Sequence, residues 1–64
     1  MASSSLLSSG DLIADRRLEH ARGYAAAGEP RAAAELTEQA LEIVPGWSAG
    51  WFELGGFLEA AEDT

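Results

Sequence analysis

The chain contains no cysteine among its 64 residues. Neither a disulfide nor a thiolate–metal site can therefore reinforce its fold. A chain of this length forms at most one small domain, in which the burial of apolar surface only just offsets the conformational entropy lost on folding. Its stability must come from close packing of its elements or from association with a partner.

Positive charge is scarce in this sequence. There is no lysine, and four arginines face eleven acidic residues, which gives a formal net charge of −7. Nucleic acids and anionic membrane surfaces are bound by clustered basic residues, which the chain lacks. It also lacks the roughly 20 consecutive apolar residues of a membrane span and the apolar core of a secretory signal. We therefore expect a soluble, cytoplasmic protein that binds neither nucleic acid nor membranes.

Side chains that perform catalysis are few as well. His20 is the only histidine, and there is no thiol nucleophile. The serines cluster near the N-terminus, where nothing holds them beside a base, and Gly55-Gly56 lacks the spacing of a phosphate-binding loop. The only candidate metal ligands are two groups of carboxylates, Glu59 with Glu62 and Asp63, and Asp15 with Glu19. Neither group has the loop geometry of a dedicated Ca²⁺ or Mg²⁺ site, and both fit a solvated face better. We expect no catalytic residue, no cofactor and no metal site.

Local signals predict an all-α fold. We expect a disordered leader at residues 1–10 and one helical domain at residues 11–64. The domain should contain three helices, at about residues 11–27, 30–44 and 48–61. Asp11 can cap the first helix, and Gly28 can end it in the left-handed conformation. Pro30 suits the first turn of the second helix. Ser48 is a favourable N-cap for the third.

Residues spaced three and four apart predict the buried face of each helix. These are Ala14, Leu18, Ala21, Tyr24 and Ala25 in the first helix, Ala33, Leu36, Thr37, Ala40, Leu41 and Val44 in the second, and Trp51, Leu54, Gly55, Leu58 and Ala61 in the third. Gly55 has no side chain, so we expect a neighbouring helix to approach closely there.

The sequence repeats itself after 34 residues. Trp51, Leu54 and Gly55 follow Arg17, His20 and Ala21 at that distance. This period and the pattern W-x-x-L-G resemble tetratricopeptide repeat proteins, in which each repeat is a pair of helices. The chain would then hold about one and a half repeats. The polar residues in the first copy suit a terminal repeat, whose outer side is exposed.

A narrower resemblance concerns the N-terminal part of the domain. The segment Ser9 to Arg17, followed by Tyr24 and the turn Val44 to Trp47, is similar to the start of bacterial predicted methyltransferases. In those proteins a tetratricopeptide segment precedes the domain that binds S-adenosylmethionine. The resemblance implies an N-terminal docking or regulatory fragment without the catalytic domain, and it places no active-site residue in this chain.

The tetratricopeptide resemblance also implies a protein-binding groove. In that family the groove is lined by the first helix of each repeat. The corresponding residues here are Leu18, Arg22, Phe52 and Glu59, with Leu18 and Phe52 as apolar anchors. The alternative is that Phe52 simply packs beside Trp47.

The third helix would lack its packing partner if it begins an unfinished repeat. Four large apolar residues, Trp51, Leu54, Phe57 and Leu58, would then form an exposed patch of the kind that marks interfaces. We therefore expect a non-catalytic protein-interaction module that associates with itself through this face as a homodimer, or binds another protein or peptide. The alternatives are the methyltransferase fragment and a small structural or oligomerisation domain.

Overall fold

The computed structural model describes residues 9–63 and contains three α-helices in that range, with no β-strand there. They are α1 (Leu12–Ala26), α2 (Pro30–Ile43) and α3 (Ser48–Glu62). The predicted all-α class is confirmed, and each predicted helix end lies within one residue of the observed one. Residues 1–8 of the predicted leader, and Thr64, lie outside the described residues.

The start of α1 is capped by side chains. The carboxylate of Asp11 accepts hydrogen bonds from the backbone N–H groups of Ile13 and Ala14, at 2.9 and 3.1 Å. Two residues earlier, the backbone N–H of Ser9 donates to Oδ1 of Asp15 at 2.9 Å. The two bonds to Asp11 satisfy donors that the first turn of a helix leaves without intrahelical partners, and the bond from Ser9 ties the segment before the helix to that turn. Ser9, predicted to belong to the disordered leader, is thus bonded to α1.

The turn between α1 and α2 is a Schellman motif. Gly28 has a φ of +84°, which glycine adopts without steric cost. The N–H of Glu29 donates to the carbonyl of Tyr24 at 2.9 Å, and that of Gly28 donates to Ala25 at 3.1 Å. Pro30 then occupies the first turn of α2. The sharp turn lays α2 back along α1.

The core lies along α2, which packs against both α1 and α3. Its buried residues are mostly small, namely Ala33, Ala34, Thr37, Ala40 and Leu41. Alanines let the backbones of neighbouring helices come close. Thr37 is fully buried, and its hydroxyl donates to the carbonyl of Ala33 at 2.8 Å, one turn earlier. A polar residue therefore fits this core position because it satisfies its hydroxyl within its own helix.

The buried face of α3 differs from the predicted one. The stripe of buried residues comprises Gly50, Leu54, Phe57 and Ala61. Trp51 and Leu58, each one residue away from members of this stripe, are exposed. The prediction followed the spacing of the tetratricopeptide signature, whereas packing against α2 selects the neighbouring stripe.

Two further expectations about α3 were wrong. Ser48 is the first helical residue, and Trp47 occupies the N-cap position without a side-chain cap. The glycine in close contact is Gly50, where an added Cβ would lie 2.9 Å from Cδ2 of Leu41 and 3.0 Å from Cε3 of Trp47. At Gly55 an added Cβ would meet nothing within 4 Å. Leu41 and the buried ring of Trp47 thus occupy the space that a side chain at position 50 would need.

Candidate protein-interaction surfaces

One surface of α3 combines exposure with large apolar side chains. Trp51 is 53% exposed and Leu58 44% exposed. They lie seven residues apart, which is two helical turns, and the exposed Gly55 lies between them on the same side of the helix. We call these three residues the α3 outer flank. No described element covers it.

The ring of Trp51 is held in place although it is exposed. Its Nε1 donates a hydrogen bond of 2.7 Å to the carbonyl oxygen of Pro45, in the turn that precedes α3. The ring also borders a hollow shared with Glu38, Leu41 and Glu42 of α2. A partner that docks here would meet an aromatic side chain whose conformation is already restricted, which lowers the entropic cost of binding.

Only half of the predicted self-association face is exposed in the structure. Leu54 and Phe57 are buried in the core cluster, whereas Trp51 and Leu58 are exposed. Leu54 and Phe57 therefore cannot line an interface in this fold. The physical reason is the geometry of the helix: successive residues point about 100° apart, so Trp51 and Phe57, which are six residues apart, point about 120° away from each other, and the packing that covers Phe57 leaves Trp51 outside.

The residues of the predicted groove are likewise partly buried and partly exposed. Leu18 is only 2% exposed and packs in the core, so it cannot serve as an apolar anchor for a ligand. Arg22 instead forms an ion pair, with its Nη2 at 2.7 Å from Oε2 of Glu53. Glu53 is the residue next to Phe52 in α3, so the ion pair joins α1 to α3 close to the remaining aromatic anchor.

Phe52 and Glu59 remain available at the surface. Phe52 is 84% exposed, and Glu59 follows it two helical turns later on the same side of α3. Because so little of the Phe52 ring is covered, the alternative that Phe52 packs beside Trp47 does not hold. Of the four predicted groove residues, Arg22, Phe52 and Glu59 are accessible, and Leu18 is not.

The structure reveals a second exposed apolar surface, on α1. Ile13 is 58% exposed and Tyr24 46% exposed, although Tyr24 was predicted to be buried. Arg17 and the exposed His20 lie on the same side of the helix, within the same three turns. We call these four residues the α1 outer flank. The sequence contained a signal for this flank: Ile13, Arg17 and Tyr24 are spaced by four and seven residues, so they lie on one side of the helix. That side differs from the one that contains the buried Leu18.

Charged and titratable groups do not assemble into a chemical site in the part of the chain that is described. Across residues 9–63 there is no group of three His, Cys, Asp or Glu side chains placed to hold a metal ion. None of the three helices has the length and apolar character needed to cross a membrane. The surfaces that stand out are thus apolar flanks bordered by charge.

Comparisons with known proteins supply no relative for this chain. No protein-family model matches it, and neither does any curated protein or any solved structure. Inferences about function therefore rest on the residues and contacts described above.

Proposed function

We propose that this chain is a tetratricopeptide-like helical module that binds protein and associates with copies of itself through the α3 outer flank. The observation that carries the proposal is the state of Trp51. Its ring is fixed by the bond to Pro45 and yet stays half exposed beside Leu58. Tryptophan side chains held in this way are frequent anchors of protein interfaces, because they bury a large apolar area at a small entropic cost.

The arrangement of the helices supports the tetratricopeptide part of the proposal. Two helices of 15 residues flank one of 14 residues that packs against both. Repeats of this type bury their apolar faces by stacking further helices, so a stripe such as Trp51, Gly55 and Leu58 is the surface on which the next element would rest. In this proposal that element comes from another chain.

Sedimentation of the wild-type chain and of one charged variant tests the proposal. Leu58→Glu places a carboxylate in the α3 outer flank, and burying it against a partner would be costly. We expect the wild type to exceed its monomer mass of 6.7 kDa at about 10–100 µM, the range of weak association, and Leu58→Glu to remain a monomer.

Leu12→Glu is the matched control. It introduces the same substitution at an exposed leucine of α1, away from α3. We expect it to associate like the wild type. A wild type that remains a monomer throughout this concentration range would contradict self-association, and equal loss of association in both variants would show that the effect is one of charge alone.

A further inference from the structure

We infer that the copies associate head to tail, with the α3 outer flank of one chain packed on the α1 outer flank of the next. The inference rests on the proposed self-association and specifies the surface that receives α3. It differs from a symmetric dimer in which two α3 helices face each other. Two features of the structure favour it: the positions of the flanks and their charges.

The Arg22–Glu53 ion pair shows how the flanks are placed. Because these two side chains meet, they mark the sides of α1 and α3 that face each other. Tyr24 and Trp51 each lie two residues from a member of this pair. Two residues correspond to a rotation of about 200° around a helix, so Tyr24 points away from α3 and Trp51 points away from α1. The two apolar flanks therefore lie at opposite ends of the three-helix unit.

Two flanks at opposite ends of the unit suit a heterologous contact, in which two different surfaces of neighbouring copies meet. When copies stack in one direction, the α3 end of each chain meets the α1 end of the next, and both flanks are covered. The two flanks share a spacing, since Trp51 and Leu58 are seven residues apart, as are Arg17 and Tyr24, and Ile13 extends the α1 flank by about one further turn. With α1 of the next copy parallel to α3, Tyr24 lies level with Leu58, and Arg17 lies level with Trp51. Within its own chain, Nη1 of Arg17 donates to Oε1 of Gln39 of α2 at 2.6 Å, which leaves the face of the guanidinium for a cation–π contact with the indole.

The charges of the two ends favour a contact between the residues around Trp51 and Arg17. The α3 helix contains Glu53, Glu59 and Glu62 and no basic residue, and Glu38 and Glu42 of α2 border Trp51. Three of the four arginines lie in α1, together with Asp15 and Glu19. Arg22 is paired with Glu53 on the side that faces α3, so Arg16 and Arg17 are the cations left for the α1 end, and Glu19 and Glu29 border Tyr24 there. A symmetric pairing of α3 helices would bring the carboxylates beside Trp51 in both copies together, whereas a head-to-tail contact brings them to Arg17. Electrostatics therefore favour α1 as the surface that receives α3.

Complementation between two variants tests this directly. Leu58→Glu blocks the α3 flank and leaves α1 free, and Tyr24→Glu blocks the α1 flank and leaves α3 free. We expect each variant alone to be a monomer. We expect their equimolar mixture to form a two-chain complex and nothing larger, because both of its outer ends are blocked. The wild type should form longer assemblies as its concentration rises.

Other outcomes are equally informative. If Tyr24→Glu alone forms dimers, α3 pairs symmetrically: the head-to-tail inference is then wrong, while self-association stands. If the mixture stays monomeric although the wild type associates, the inference is again wrong. A wild type that never associates overturns the proposed self-association itself. Circular dichroism establishes that each variant is folded. If Tyr24→Glu unfolds, Ile13→Glu replaces it, because Ile13 lies on the same flank and is more exposed.

Discussion

The indole of Trp51 and the carbonyl of Pro45 are joined by a hydrogen bond of 2.7 Å that ties α3 to the turn preceding it. The bond spans six residues and closes the turn in which the buried ring of Trp47 also lies. It orients the most prominent aromatic group of the α3 outer flank. The same contact therefore contributes to the fold and prepares the proposed interaction surface.

Trp51→Phe should lower the free energy of unfolding by about 0.5–1.5 kcal/mol, the net contribution of a typical hydrogen bond. The phenyl ring retains much of the apolar contact and removes the donor. Urea unfolding at low protein concentration measures the change without a contribution from association. Phe52→Leu is the control, since this neighbouring ring is almost fully exposed and should alter stability little. A loss above about 3 kcal/mol for Trp51→Phe would instead indicate a buried core ring.

Gly50→Ala should destabilise the protein, although alanine is the better helix former. Its methyl group would collide with Leu41 and with the ring of Trp47. Overpacking costs about 1–3 kcal/mol. Gly56→Ala is the matched control in the same helix: its methyl group meets nothing within 4 Å, so it should stabilise by up to about 1 kcal/mol. Thermal unfolding of both variants measures the difference in stability, and equal shifts of Tm would contradict the close contact at Gly50.

Thr37→Val should leave stability within about 1 kcal/mol of the wild type, because the hydroxyl bonds only a carbonyl that is also part of the helical ladder. The added methyl group contributes apolar burial in its place. Thr37→Ser keeps the hydroxyl and loses a buried methyl group, so we expect it to cost about 0.8 kcal/mol. Chemical denaturation of both variants checks the order. A large loss in Thr37→Val alone would mean that the hydroxyl is essential.

Asp11→Ala should cost about 1 kcal/mol, since it removes the acceptor for the N–H groups of Ile13 and Ala14. Asp11→Asn should retain most of that stability, because an amide oxygen still accepts. Glu29 occupies the corresponding N-cap position of α2 without a side-chain hydrogen bond, so Glu29→Ala should have little effect. Hydrogen exchange of the Ile13 and Ala14 amides reports the loss locally, and unchanged exchange in Asp11→Ala would contradict the cap.

Much of the fold could be predicted from local chemistry. The ends of the helices are encoded by residues that act on their own neighbours: Asp11 caps α1, Gly28 adopts the left-handed conformation, and Pro30 starts α2. The buried stripe of α2 was predicted because its residues repeat with helical spacing on one face. Such signals depend on a few adjacent residues, so no long-range contact is needed to read them.

The buried faces of α1 and α3 could not be predicted equally well. Tyr24 fits the same periodicity as the buried Leu18 and Ala21, and Trp51 fits an apolar periodicity as well as Gly50 does. Only the direction of α2 decides which of these residues are covered. Leu18, taken for a groove residue, is covered by that packing. Of the residues predicted to take part in interactions, Leu18, Leu54 and Phe57 are buried and the others are exposed, and the binding role of the exposed ones stays a prediction.

The sequence by itself determined the all-α class, the three helices, the acidic charge and the scarcity of catalytic side chains, because composition and short-range spacing carry this information. Only the tertiary structure decided which apolar residues are covered. It packs Gly50, Leu54 and Phe57 against α2, leaves Trp51 and Leu58 exposed on α3 and Tyr24 exposed on α1, and joins Arg22 to Glu53. The physical reason is that a helix has more apolar residues than one neighbour can cover, and the angle of packing selects among them.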